Sequence, residues 1–225
     1  MKKSTVIILP IVLLVAIVSL LIFVFSGDLS VEYPIEGTWK VLNIHSDNGV
    51  RRFESRYYVF NEDDTYVTYE NSEVKASGKY SLKFDTLTFE GDETQYLLKS
   101  LTENIVCFKI EDVAKGDSYV TIMKVENMET PIIDTSLLKG EWMVTLHANN
   151  NEINEKMVFL DSTFEFYRNN MQTPVKTGDY VWEGDLLKVN SLGMEMESQL
   201  LTPNFYVAIE KANGLVWEFK KVVNN

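Results

Sequence analysis

The pentapeptide Gly37–Val41, "GTWKV", returns about a hundred residues later as Gly140–Val144, "GEWMV". A period of that length constrains the fold more than any other feature of the chain. Each copy must be a complete unit of about 90 residues with its own core. The correspondence runs on beyond the pentapeptide. With Gly78 set against Gly178, Tyr80 falls on Tyr180, Leu87 on Leu187 and Phe89 on Val189. At the same offset "LTENIVCFKI" (101–110) falls on "LTPNFYVAIE" (201–210). Upstream, "VFNEDDTYVTY" (59–69) matches "VFLDSTFEFY" (158–167) with a small deletion, and "YVTIMKV" (119–125) resembles "VWEFKKV" (216–222). The blocks keep one order in both halves, which is the mark of an internal duplication. Trp39 and Trp142 are then equivalent first-strand residues.

Each copy reads as strands. Segments such as "DTYVTY", "STFEFY" and "GKYSLKF" alternate β-branched and aromatic residues with polar ones, the period of a half-buried strand. Turn signals separate them: "SDNG" at 46–49, "NEDD" at 61–64, "EGD" at 90–92 and again at 183–185, and "ANG" at 212–214. Eight strands are predicted near 38–45, 55–61, 65–70, 74–83, 86–90, 94–101, 104–111 and 118–126. The second copy gives 141–148, 153–160, 163–168, 174–182, 185–191, 195–202, 205–211 and 215–223. No segment after residue 27 has a sustained helical period. Short strands joined by tight turns predict an all-β chain of two small eight-stranded antiparallel meander barrels in tandem, since closing each sheet removes its edges. The domains are 35–126 and 138–225, with linkers at 27–34 and 127–137. The interiors are expected to hold Trp39, Phe60, Tyr66, Tyr80, Leu82, Leu87 and Phe89 in the first copy. In the second they hold Phe159, Phe164, Phe166, Tyr180, Trp182 and Leu187.

The sequence resembles the lipocalin-like domains of bacterial envelope proteins. The likeness rests on Gly37 and Trp39, on Gly140 and Trp142, on the meander, and on the turn formed by Phe60, Asp63, Thr65 and Tyr66. The second copy keeps a shorter version in Asp161, Thr163 and Phe164. The resemblance covers nearly all of 35–223, twice. It implies that each tryptophan plugs one end of its barrel, a structural role, and that a barrel mouth can take a small apolar ligand or lipid. Both copies are shorter than lipocalins, and a barrel of this width holds side chains or a ligand rather than both.

Residues 1–4 carry two lysines, and an uncharged run from Thr5 to Phe25 follows. At about 1.5 Å per residue a helix of that length spans roughly 32 Å, close to a hydrocarbon core of about 30 Å. The run exceeds the apolar region of a cleaved signal peptide and ends on the poor cleavage site "VFS". Residues 5–26 are therefore expected to be an uncleaved transmembrane signal anchor. Lys2 and Lys3 place the N-terminus in the cytoplasm and the domains outside it, in the periplasm or on the cell surface.

Charge and composition exclude much else. Beyond residue 27 the chain has 19 basic and 33 acidic residues, a net −14, which repels a phosphate backbone and excludes nucleic-acid binding. One cysteine, Cys107, rules out an intrachain disulfide, and its apolar setting, "NIVCFKI", reads as core. His45 lies six residues after Trp39 and His147 five after Trp142. On regular strands they would face opposite sides of their sheets and form no duplicated ligand pair. No metal-ligand spacing, nucleophile elbow or phosphate loop is present, and "NEDD" reads as a solvated turn. No catalytic, cofactor-binding or metal residue is predicted, and the chain is not expected to be an enzyme. One cluster stands out in the acidic background: Arg51, Arg52 and Arg56 beside Phe53, Tyr57 and Tyr58, which is the composition of a protein-interface hot spot. The expected role is presentation of the two domains to a protein partner in the envelope.

Overall fold

The computed structural model describes residues 35–46, 48–111, 116–129, 131–148, 151–168 and 171–223. The transmembrane segment expected at 5–26 lies outside them. Among the described residues no helix is long and apolar enough to cross a membrane. They contain two short 3-10 turns, Thr135–Leu138 and Asn190–Leu192, and no α-helix.

The first copy is built from β1 (Gly37–Ser46), β2 (Gly49–Arg52), β3 (Arg56–Phe60), β4 (Thr65–Glu70), β5 (Glu73–Lys83), β6 (Thr86–Phe89), β7 (Tyr96–Leu101), β8 (Ile105–Ile110) and β9 (Ser118–Val125). β1 pairs antiparallel with both β2 and β3, each later strand pairs antiparallel with the next, and β1 pairs with β9 to close the sheet. The second copy comprises β10 (Gly140–Ala148), β11 (Asn151–Phe159), β12 (Thr163–Arg168), β13 (Lys176–Glu183), β14 (Leu186–Val189), β15 (Met194–Leu201), β16 (Phe205–Glu210) and β17 (Val216–Lys221). These eight form a closed barrel through pairing of β10 with β17. The expected pair of eight-stranded meanders is thus present, with one difference. The second strand of the first copy is broken into β2 and β3, which pair in turn with the two ends of β1. The extra residues between them tuck Phe53 inward, where it is 9% exposed.

Alternation places one face of every strand in a barrel core. Each aromatic residue expected inside lies in one of two apolar clusters, with Leu82, Tyr180 and Trp182 only partly buried. The tryptophans act alike. Trp39 donates its indole N–H to Ile35 O and Trp142 to Leu138 O, both at 2.6 Å. A lysine from the last strand covers each ring: Lys124 at 5.6 Å from the Trp39 centroid, Lys221 at 4.3 Å from that of Trp142. Gly37 and Gly140, at φ +117° and +130°, stand under those lysines, where a Cβ would meet the Lys124 or Lys221 stem. The motif is therefore a tryptophan, the carbonyl it donates to, a lysine lid, and a glycine that makes room for the lid.

The "NEDD" turn is occupied by its own hydrogen bonds. Asp63 accepts from the Thr65 N–H at 3.2 Å and its hydroxyl at 2.6 Å, and Tyr80 donates to Asn61 O. Tyr180 repeats the last bond on Leu160 O at 2.6 Å.

Residues 35–225 form one compact unit, because the barrels share a third apolar cluster. Leu42, Ile105 and Met123 from outside the first barrel meet Phe205, Val207, Ile209 and Val216 from outside the second. Strands β8 and β16 are consequently buried on both faces. Val106 and Phe108 point into one barrel, Tyr206 and Ala208 into the other, and the residues between them fill the seam. Cys107 is buried as expected, and its neighbours at the junction include His147 and Gly214 of the second barrel. Burial pushes its thiol up to about 11.

Truncating a buried ring usually costs about 3–5 kcal/mol, which for a chain of this size lowers the melting temperature on the order of 10 °C. Trp39→Ala and Trp142→Ala are each expected to shift a calorimetric transition by that much. Equal melting of both variants and the parent would remove the plug role. In the folded protein Cys107 is expected to resist iodoacetamide at pH 8 and to react once denatured, as read by intact mass.

Candidate functional site

The barrel interiors leave little room. A gap among the core aromatics of the first barrel, bounded by Tyr58, Phe60, Phe89 and Tyr96, is about 10 Å³. Its rings occupy the space in edge and stacked pairs, such as Phe60 on Tyr80 at 4.9 Å and Phe89 on Tyr96 at 5.3 Å. In the second barrel Tyr206 packs on Phe219 at 4.8 Å, and Phe159 meets Tyr180 edge-on at 5.4 Å. A drug-sized ligand needs about 300 Å³ or more. Chemistry is to be sought on the outer walls and at the junction.

The junction is polar at both flanks of its apolar seam. On one flank the two histidines come to the same place, against the expectation from their spacing. A β-bulge between Val41 and Asn43 adds one residue to β1 opposite β9. Leu42 and Asn43 therefore both leave the barrel interior, and the parity of everything after them is reversed. His45 ends opposite Tyr119 of the last strand, as His147 ends opposite Val216. Both line one narrow crevice together with Asn43, Cys107 and Thr121. His147 Nε2 lies 2.7 Å from Glu218 Oε2, with the side chains 0% and 1% exposed, and its Nδ1 lies 3.3 Å from Ser100 Oγ of the first barrel. Asn43 Nδ2 donates to Gly214 O across the junction. Among the described residues no group of three or more His, Cys, Asp or Glu side chains is arranged to hold a metal ion. This crevice fastens the barrels.

On the other flank the predicted arginine cluster divides. Arg52 spans the junction, with Nη1 3.2 Å from Glu197 Oε2 and Nη2 donating to Glu210 O at 2.8 Å. Glu197 Oε1 accepts from Gln199 Nε2 at 3.2 Å, and Gln199 Oε1 accepts from Lys40 Nζ at 3.0 Å. Arg51 and Arg56 stay on the first barrel and cover the Phe53 ring at 4.8 and 5.0 Å from its centroid. Tyr57 is buried and donates to Met128 O in the linker at 3.0 Å. Tyr58 turns into the barrel and stacks on Phe60 and Phe89. The structure thus brings Arg51, Phe53 and Arg56 together, and places Arg52, Tyr57 and Tyr58 in the frame that holds them. Gly37, Trp39, Gly140 and Trp142 lie in the barrel plugs described above.

Between Arg52, Lys40 and the linker lies an open cleft of about 380 Å³, walled by both barrels. The cleft is hard to read from sequence because its walls come from three separate segments. Its one legible signal is that "NIVCFKI" and "NFYVAIE" are continuously apolar, as befits strands covered on both faces.

Comparison with protein-family models, with curated proteins and with solved structures finds no match to this chain.

Proposed function

We propose that this chain is a membrane-anchored, non-enzymatic protein of the bacterial envelope, whose paired lipocalin-like barrels form one stiff head that presents its surface to another protein. The observation that carries this reading is the aromatic packing of both barrel cores. With about 10 Å³ left among the core aromatics of the first, a role for the head has to reside on its outside. The shared seam supports it, since two barrels fixed side by side hold surface features from both at a constant spacing. The apolar run 5–26 after Lys2 and Lys3 supplies the anchor, and the net charge of −14 beyond it keeps the head clear of an anionic lipid surface. The reading excludes nucleic acid as a partner and needs no cofactor. A carrier or sensor that binds a small apolar ligand or lipid in a barrel mouth is the lesser alternative, because the aromatic gap in the first core is only about 10 Å³.

The favoured contact point is the Arg51–Phe53–Arg56 sandwich. Phe53 is anchored in the barrel, so the two guanidinium groups are held at low conformational cost, and they suit an acidic partner surface. Arg51→Ser with Arg56→Ser is expected to abolish partner recovery after cross-linking in native membranes, while the melting temperature stays within about 2 °C of the parent. Arg52→Ser should do the reverse and lower stability, because it unties the junction. Recovery that survives the Arg51 and Arg56 changes removes this contact. The anchor is read separately, from the mass of the mature N-terminus. A chain starting near Gly27 would show that the segment is cleaved.

A further inference from the structure

The cleft beside the seam carries a demand that the protein itself leaves unmet. Lys40 is 8% exposed, yet its ammonium has one hydrogen-bond acceptor among the described residues, the neutral Gln199 Oε1 at 3.0 Å. Burying a cation with a single neutral acceptor is costly. Burial accordingly pulls the Lys40 amine below the usual lysine range, with Glu197 acting in the opposite sense. Glu197 itself is already shared between Arg52 and Gln199. Lys40 therefore keeps donor capacity in a cleft of about 380 Å³ that is open to solvent.

The rest of the cleft has a distinct chemistry. Leu42, Phe53, Ile133 and Ile209 give it apolar wall. Glu54 and Asp185, one from each barrel, are exposed at its edge, and neither carboxylate has an ion-pair partner among the described residues. A buried ammonium, an apolar wall and exposed carboxylates form a complementary series for a molecule with an anionic end, an apolar body and a cationic end. We propose that this cleft is a binding site for a small zwitterion of that kind, an amino acid with separated charges or a short peptide. Its carboxylate would be taken by Lys40 and its ammonium by Glu54 and Asp185. Because barrels and linker all wall the cleft, an occupant would also stiffen the junction. The site lies outside both barrels and does not depend on the protein-partner reading.

The test uses the full chain in non-ionic detergent and isothermal titration calorimetry with three probes that share one apolar body: 6-aminohexanoate, hexanoate and hexylamine. 6-Aminohexanoate is expected to bind about tenfold tighter than either singly charged probe. Lys40→Met, which keeps the buried stem, should lower its affinity by about tenfold or more. Should that variant fold poorly, Asp185→Asn at the exposed edge decides instead, since it should bring 6-aminohexanoate down towards hexanoate. Absence of heat from all three probes up to about 10 mM would overturn the proposal. So would equal affinity of the parent and both variants, which marks binding elsewhere on the protein.

Discussion

Pairing between the first and last strand of each copy, β1 with β9 and β10 with β17, is the constraint on which the rest depends. An eight-strand meander left open would have two rows of unpaired backbone groups, and its partners would be other sheet edges. Closure removes those rows and leaves only side chains to decide how the barrels meet. The decision falls chiefly to β8 and β16, which carry apolar residues on both faces. β8 and β16 fill their barrels with one set of side chains and build the seam with the alternate set. Two barrels joined by a linker thereby become one body.

Much of this was legible in the sequence because it follows from local periodicity. The alternation in "DTYVTY" and "STFEFY" identifies the inward faces, and the repeat of Gly-x-Trp locates both plugs. What could not be read depends on register. The bulge after Val41 is a single residue with no distinctive chemistry, yet it turns Asn43 and His45 to the outside. Spacing from Trp39 therefore misplaced His45, while the same reasoning placed His147 correctly on a regular strand. The break between β2 and β3 is another case. The composition of "VRRFESRYY" groups its arginines and aromatics into one surface cluster, whereas pairing with β1 distributes them among core, junction and surface. A list of neighbours in sequence does not say which share a face once an insertion interrupts the ladder.

The junction shows how unequal the flanks of one seam can be. Around His147 the polar groups are packed until they satisfy one another, apart from single oxygens of Asn43 and Glu218. Leaving a buried polar group without its hydrogen-bond partner usually costs about 1–3 kcal/mol, so this flank resists opening. Around Lys40 the network of Arg52, Glu197 and Gln199 borders an open cleft, and the Arg52 and Glu197 side chains stay 31% and 39% exposed. Stability and accessibility have been assigned to different sides of the same contact.

β8 and β16 are the same strand of the repeat and both contribute to the seam, but with different side chains. In a true homodimer each substitution appears on both sides of the axis, and a residue must tolerate its own image. Here Cys107 holds the position in the repeat that Val207 holds in the second copy, and Thr121 that of Glu218, so equivalent positions carry different residues. Joining the copies in one chain also keeps their local concentration high whatever the abundance of the protein. A covalent link therefore frees the two halves of this contact from mirror constraint, and lets one contact surface hold a sealed histidine–glutamate contact at one end and an open basin at the other.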